Sequence, residues 1–317
     1  MLTTFFIVLP IFALIFVGFL CRRTDILGPN STRELNRFVV YLALPALLFD
    51  IMAHTTWVAL YQPRFIAAFT LGCFIIFALT IALRLRGGRH LADVSIDGLN
   101  ASYANTGFIG LPLSIIIFGR GSLTLTTISA IITVCVLFAV AIVLIEIGLQ
   151  TEAHPVRLAR KVGLSLVKNP LLVSPVLGAL WTASGVHLPG SAETFFKLLG
   201  DAASPCALVA LGLFLGEKRR TETVEPPVRG DLSGGLMLVG LKLIVQPVLA
   251  WILATQVFHL TPAVTHLTVV LSALPTGTGP FMLAEFYRRE ARVTANAILI
   301  STILSLVTVS GYLAWVS

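Results

Sequence analysis

Asn105-Thr-Gly-Phe-Ile-Gly-Leu-Pro112 lies inside an otherwise apolar segment, residues 93–118. Two glycines and a proline weaken or break a helix there. Unwound backbone at membrane depth is tolerated only where protein buries it or where it lines a cavity. A second stretch, Pro275-Thr-Gly-Thr-Gly-Pro280, interrupts the apolar segment 265–287 in the same way. Two interrupted hydrophobic segments at matching places in two halves of a chain point to the binding site of a transporter. The rest of the chain reads as scaffold for these two breaks.

The composition sets the solvent. Hydrophobic residues make up 56% of the chain and charged residues 12%, about half the charged share of a soluble domain. This is the signature of a polytopic, all-α membrane protein. The net charge of +7 does not imply nucleic acid, because the basic residues sit in short connections between apolar spans. Cys21, Cys73, Cys135 and Cys206 form no CxxC pair, so neither a metal site nor a disulfide framework is expected. The first span lacks the basic leader and small-residue cleavage site of a signal peptide and reads as uncleaved.

Ten segments reach the length a spanning helix needs: 4–21, 37–54, 64–83, 93–118, 123–149, 170–185, 193–216, 233–258, 265–287 and 291–316. The connections after spans one, three, five, seven and nine hold 18 of the 22 Lys and Arg residues, including Arg84, Arg89, Lys218, Arg219, Arg220, Arg229 and Arg289. That bias places the odd-numbered connections inside and both termini outside, in the plasma membrane (the inner membrane of a bacterium). Five spans per half then run with opposite orientation, the design of an inverted repeat. The expected organisation is a first five-helix repeat over 1–149, a short cytoplasmic connection over 150–169, and a second, inverted repeat over 170–317. Spans four and nine carry the breaks.

If both spans unwind near the midplane, their second half-helices start near Pro112 and Pro280, since proline suits a first helical turn. Their N-termini aim free N–H groups and a positive dipole end at the bilayer centre. The first half-helices end there with free carbonyls. The expected site offers donors for an anion and acceptors for a cation. Asn105 supplies both through its amide, and Thr106, Thr276 and Thr278 add hydroxyls. Gly107 and Gly277 complete the set. The bland alternative is a pair of kinks packed closely against neighbours.

Ionisable groups inside spans are costly and usually functional. Lys242, midway along span eight, either balances an anionic substrate, pairs with an acid such as Asp201, or snorkels to the inner surface. Asp201 is the acid for a coupling or supporting role. Gln246 lies one turn from Lys242 on the same face. Asp50, Glu146 and Glu285 read as interfacial. The six histidines fall at span ends or in loops and suggest no site. No HExxH, GxSxG or Walker pattern occurs, so neither an enzyme nor a cofactor is expected.

The stretches Leu35-Asn-Arg-Phe-Val-Val-Tyr-Leu-Ala-Leu-Pro-Ala-Leu-Leu-Phe49, Asn105–Pro112, Gly200-Asp-Ala-Ala-Ser-Pro-Cys-Ala-Leu-Val-Ala-Leu-Gly212 and Pro275–Pro280 together resemble the auxin efflux carrier family. That family includes plant auxin exporters and bacterial malonate- and malate-type permeases. The resemblance covers essentially the whole chain. It implies ten helices in two inverted repeats, a fold like that of the bile-acid symporters, with a scaffold and an elevator-like transport domain. It places the substrate at the crossover of spans four and nine, framed by Asn105, Pro112 and Pro275, and implies members that dimerise. The long inner loop of the plant exporters is absent, and span three carries no charge, so the compact form resembles a bacterial carrier of small organic anions. The expected function is secondary transport of a small carboxylate. The alternatives are a sodium- or proton-coupled symporter and a membrane sensor that binds without moving its ligand.

Overall fold

The computed structural model describes residues 2–54, 61–150, 155–217 and 230–316. Lys218, Arg219, Arg220 and Arg229, counted above in an inner connection, lie outside the described residues, as do His154 and both terminal residues. All regular structure among the described residues is helical. We number the helices α1 (Leu2–Arg23), α2 (Ser31–Ala53), α3 (Pro63–Arg86), α4 (Leu91–Ser102), α5 (Thr106–Phe118), α6 (Arg120–Leu149), α7 (Pro155–Lys168), α8 (Pro170–Ala183), α9 (Gly190–Gly216), α10 (Gly234–Val257), α11 (Pro262–Ala273), α12 (Gly279–Phe286) and α13 (Ala291–Val316).

Among the described residues, six of these, α2, α3, α6, α9, α10 and α13, are long and apolar enough to cross a membrane as single helices. Helices α7 and α8 meet at a 70° bend and together form a seventh candidate. The bend falls at Asn169, whose side chain accepts from Leu171 N at 3.0 Å and restarts the helix. Helices α5 and α11 are shorter apolar pieces. Their shortness is the structural form of the two predicted breaks.

Small residues set the tightest contacts. Helices α1 and α9 lie backbone against backbone: a Cβ on Gly212 would stand 2.0 Å from Ile15 O, and one on Gly18 would stand 2.2 Å from Val209 O. Gly178 brings α8 onto α2 in the same manner, 2.5 Å from Phe49 O. Without water to drive helices together, such close van der Waals contact is the main association term. Elsewhere α4 packs between α3 and α6, and α10 packs on α11 and α13.

On the side of the Arg84 and Arg89 connection, an ionic clasp ties three chain segments. Arg84 Nε donates to Asp97 Oδ2 at 2.8 Å, and Arg89 bonds Glu290. Arg289 holds Asp93 through Nε at 2.5 Å and Nη2 at 2.9 Å. Asp97, fully buried in α4, was invisible as a functional candidate because it sits only a turn inside the span. Burial pushes the Glu290 carboxyl upward, and the Arg89 guanidinium beside it pulls it back.

Candidate functional site

Residues Tyr103–Asn105 separate α4 from α5, and Leu274–Thr278 separate α11 from α12. The two unwound pieces lie antiparallel and pair at Ala104 and Thr276. Asn105 N donates to Pro275 O at 2.9 Å, and Gly277 N donates to Tyr103 O at 3.0 Å. Each break thus satisfies part of the other's backbone, which solves the problem that broken helices create away from water.

The glycines of the second break fit an aromatic ring. A Cβ on Gly277 would meet Tyr103 Cε1 at 2.8 Å, and one on Gly279 would meet Tyr103 Cζ at 2.8 Å. The ring of Tyr103 therefore lies on the bare backbone of Gly277 and Gly279.

The start of α5 differs from the sequence reading. The helix begins at Thr106, six residues before Pro112, and Asn105 is its cap: Oδ1 accepts from Phe108 N at 3.3 Å. A wider, π-type turn over Thr106–Gly110 comes first, and Pro112 follows in the first turn of the regular helix. A side-chain cap starts a helix by accepting an orphan amide, whereas proline only tolerates the position, so Asn105 and not Pro112 sets the boundary. At the other break Pro280 does stand in the first turn of α12, as expected.

A cavity of about 460 Å³ opens against this crossing, within the range of small-molecule sites. Of the residues singled out from sequence, Asn105, Thr106, Gly107, Gly277, Thr278 and Asp201 line it. The backbone N–H groups of Gly107, Thr278 and Gly279 make no hydrogen bond to the described residues, nor does Asn105 Nδ2. The residues that carry these three orphan amides and the side-chain donor thus line one space, at the N-terminal ends of two helices. Thr106 is buried beside it, its Oγ1 3.1 Å from Thr133 Oγ1.

The remaining candidates stand behind the crossing, outside the lining. Pro112 and Pro280 sit in helix turns, and Pro275 contributes its carbonyl to the bridge. Thr276 Oγ1 donates to Asn100 O at 2.7 Å, and Ser301 Oγ meets Thr276 N at 3.2 Å. Lys242 is fully buried and donates to Ser272 O at 2.6 Å. Gln246 Nε2 donates to Ser102 O at 3.1 Å. Lys242 and Asp201 do not pair: Asp201 is exposed at the cavity, while Lys242 is fully buried and its ammonium donates to Ser272 O.

Two residues set aside at the sequence level belong to the cavity. Asp50 and His54 both line it, with His54 Nδ1 3.1 Å from Asp50 Oδ1 and Nε2 3.3 Å from Glu193 Oε1. Asp50 was read as interfacial and His54 as incidental. Their i, i+4 spacing on α2 was the signal that could have found them.

Paired helix breaks against a donor-lined cavity, in a bundle of long apolar helices, define a membrane transport protein. The chain belongs to the family described as "Membrane transport protein", whose model matches residues 3–313. It is 28% identical to the "Putative malonate transporter" of Rhizobium meliloti (strain 1021), over 97% of this chain and 94% of that protein. It is 26% identical to the "Probable auxin efflux carrier component 5c" of Oryza sativa subsp. japonica, over 88% of each chain. It is also 26% identical to the "Uncharacterized transporter YfdV" of Escherichia coli (strain K12), over 96% of each. The chain is thus an integral membrane transport protein of the auxin efflux carrier family.

Proposed function

We infer that this protein is a secondary transporter of a small organic anion, a carboxylate of the malonate, malate or auxin-like class, bound at the crossing of the two broken helices. The observation that carries this reading is the set of unpartnered donors on the cavity: the amides of Gly107, Thr278 and Gly279, with Asn105 Nδ2 beside them. Helix N-termini hold carboxylates through such groups. Asn105 orients the anion, and the hydroxyl of Thr278 completes its shell; the Thr106 hydroxyl proton is already given to Thr133 Oγ1, which itself donates to Ser129 O.

The architecture we assign is ten spans in two inverted repeats, 1–149 and 170–317, joined by the connection at 150–169. In it, α4–α5 forms the broken fourth span and α11–α12 the broken ninth. The close pairing of α1 with α9 and of α2 with α8 and α9 suits a scaffold. The helices around the crossing would move past it in elevator fashion between two faces of the plasma membrane, with both termini outside.

The test is counterflow in proteoliposomes, loaded with unlabelled malonate, malate, succinate or indole-3-acetate and given labelled trace outside. Accumulation in the wild type and its loss in Asn105→Ala is the expected result. No accumulation across the panel from folded protein removes this reading.

A second reading has its own observation. Asp50 and Asp201 both line the cavity, where two carboxylates beside an anion repel it unless protonated. Coupling of anion to proton movement follows, and collapse of the pH gradient would then abolish net uptake while leaving exchange.

A further inference from the structure

Breaking a helix frees carbonyls as well as amides, and those of Ser102 in α4 and Ser272 in α11 belong to residues outside the cavity lining. In an unbroken helix Ser272 O would accept from residue 276, but Thr276 N is turned to Ser301 Oγ. Ser102 O would accept from residue 106, but Thr106 N bonds Ala104 O at 2.8 Å. Two half-helix C-termini with carbonyl oxygens freed from helix bonds, in a site without bulk water, make a natural seat for a cation.

In this chain that seat is taken. Lys242 and Gln246 stand four residues apart on α10, one turn on the same face. Lys242 Nζ donates to Ser272 O at 2.6 Å, and Gln246 Nε2 donates to Ser102 O at 3.1 Å. One face of one helix thus closes both freed ends. A third donor, Thr276 Oγ1, takes Asn100 O at 2.7 Å.

The lysine is fully buried, and no carboxylate of the described residues lies within ion-pair distance of it. A buried ammonium without an anionic partner is costly. The negative end of α11 is the compensating group. The π-type turn Leu241–Val245, in which Lys242 sits, widens α10 at this contact.

We propose that Lys242 is a built-in cation: its ammonium occupies the position at the C-terminal end of α11 that an exchangeable coupling ion would otherwise fill, so the crossing is held in shape with no sodium or potassium bound. Lys242 is a positioning residue here, acting on the cavity through α11 and the bridge, and it touches no substrate. The proposal deepens the anion-transporter reading, but its main test does not depend on that reading.

The test is the thermal unfolding of the purified full chain in sodium, potassium, methylammonium and N-methyl-glucamine chlorides at equal ionic strength. The wild type is expected to melt at one temperature in all four. Lys242→Ala leaves room for a small cation, so it should melt lower in N-methyl-glucamine and recover, saturably, with methylammonium. Lys242→Met fills the same space without charge and should melt lower with no recovery. In counterflow, Lys242→Ala should lose at least tenfold in rate and regain it with methylammonium.

A saturable rise of the wild-type melting point with sodium would overturn the proposal, as would Lys242→Met melting with the wild type. So would a folded Lys242→Ala indifferent to every cation. If Lys242→Ala does not fold, the wild type and Lys242→Met still decide. Absence of counterflow in the wild type would remove the transport reading and leave the melting arm standing.

Discussion

Gly107 offers a perturbation in which stability and function should move in opposite directions. It lines the cavity, and a Cβ built on it would meet no atom within 4 Å. Its neighbour Gly110 is different, since a Cβ there would press Leu274 Cδ1 at 3.0 Å. Gly107→Ala therefore adds a methyl to open space in the first turn of α5. Removing a helical glycine stabilises by about 0.5–1 kcal/mol, largely by restricting the unfolded chain. Gly107→Leu adds a larger group at the same point, directed into a cavity of about 460 Å³. It stands beside one of the three unpartnered amides and obstructs an anion's approach. Loss of one hydrogen bond to a charged group costs about 1.5–3 kcal/mol, or roughly 10–150-fold in half-saturating concentration. The assay pairs thermal unfolding with counterflow as a function of anion concentration. Gly107→Ala should melt at or above the wild type, and Gly107→Leu should also fold yet require at least about tenfold more anion. If Gly107→Leu transports with wild-type affinity, the amides of this crossing do not hold the substrate. If both variants unfold, the open space at Gly107 has been misjudged.

Three other substitutions probe separate parts of the structure. Asn105→Asp keeps an oxygen for the cap on Phe108 N but removes the Nδ2 donor and adds a negative charge; it should melt near the wild type and lose anion counterflow at pH 7, whereas Asn105→Ala should also lose about 1 kcal/mol of stability by chemical denaturation. Gly212→Val puts its Cβ 2.0 Å from Ile15 O, where backbone must move, so expression and melting point should fall together, by more than for Val at the open position Gly235. Asp97→Asn leaves the Arg84 guanidinium without its counter-charge beside a fully buried side chain; an uncompensated buried charge costs about 3–5 kcal/mol, and Arg84→Met in the same chain should recover part of it.

The sequence shows the breaks plainly because glycine and proline announce them, and the two apolar segments they interrupt are found as α4–α5 and α11–α12. It does not show that the breaks bond to each other. The Ala104–Thr276 bridge joins residues 172 positions apart through main-chain atoms, and no side-chain pattern encodes that. The same reason hides the partners of Lys242 and Gln246. Polar residues midway along a span are conspicuous, but the groups they meet are carbonyls of Ser272 and Ser102, which every residue type carries. Pro112 marks the start of the regular α-helix, because a proline's geometry is local and obvious, while the wider turn before it and its cap at Asn105 depend on how the chain enters that turn. Asp50 and His54 were passed over because position along a span does not reveal which way a helix faces, and α2 turns them toward the cavity.

The bridge between the two breaks also bears on how such a binding place can change over time. The crossing is joined by Asn105 N to Pro275 O and Gly277 N to Tyr103 O, contacts made by main-chain atoms alone. The frame and the lining are thus specified by different atoms. Substitutions at cavity positions can retune which solute is accepted without dismantling the junction that holds the cavity open. A lineage built on this junction is free to explore new cargo one side chain at a time.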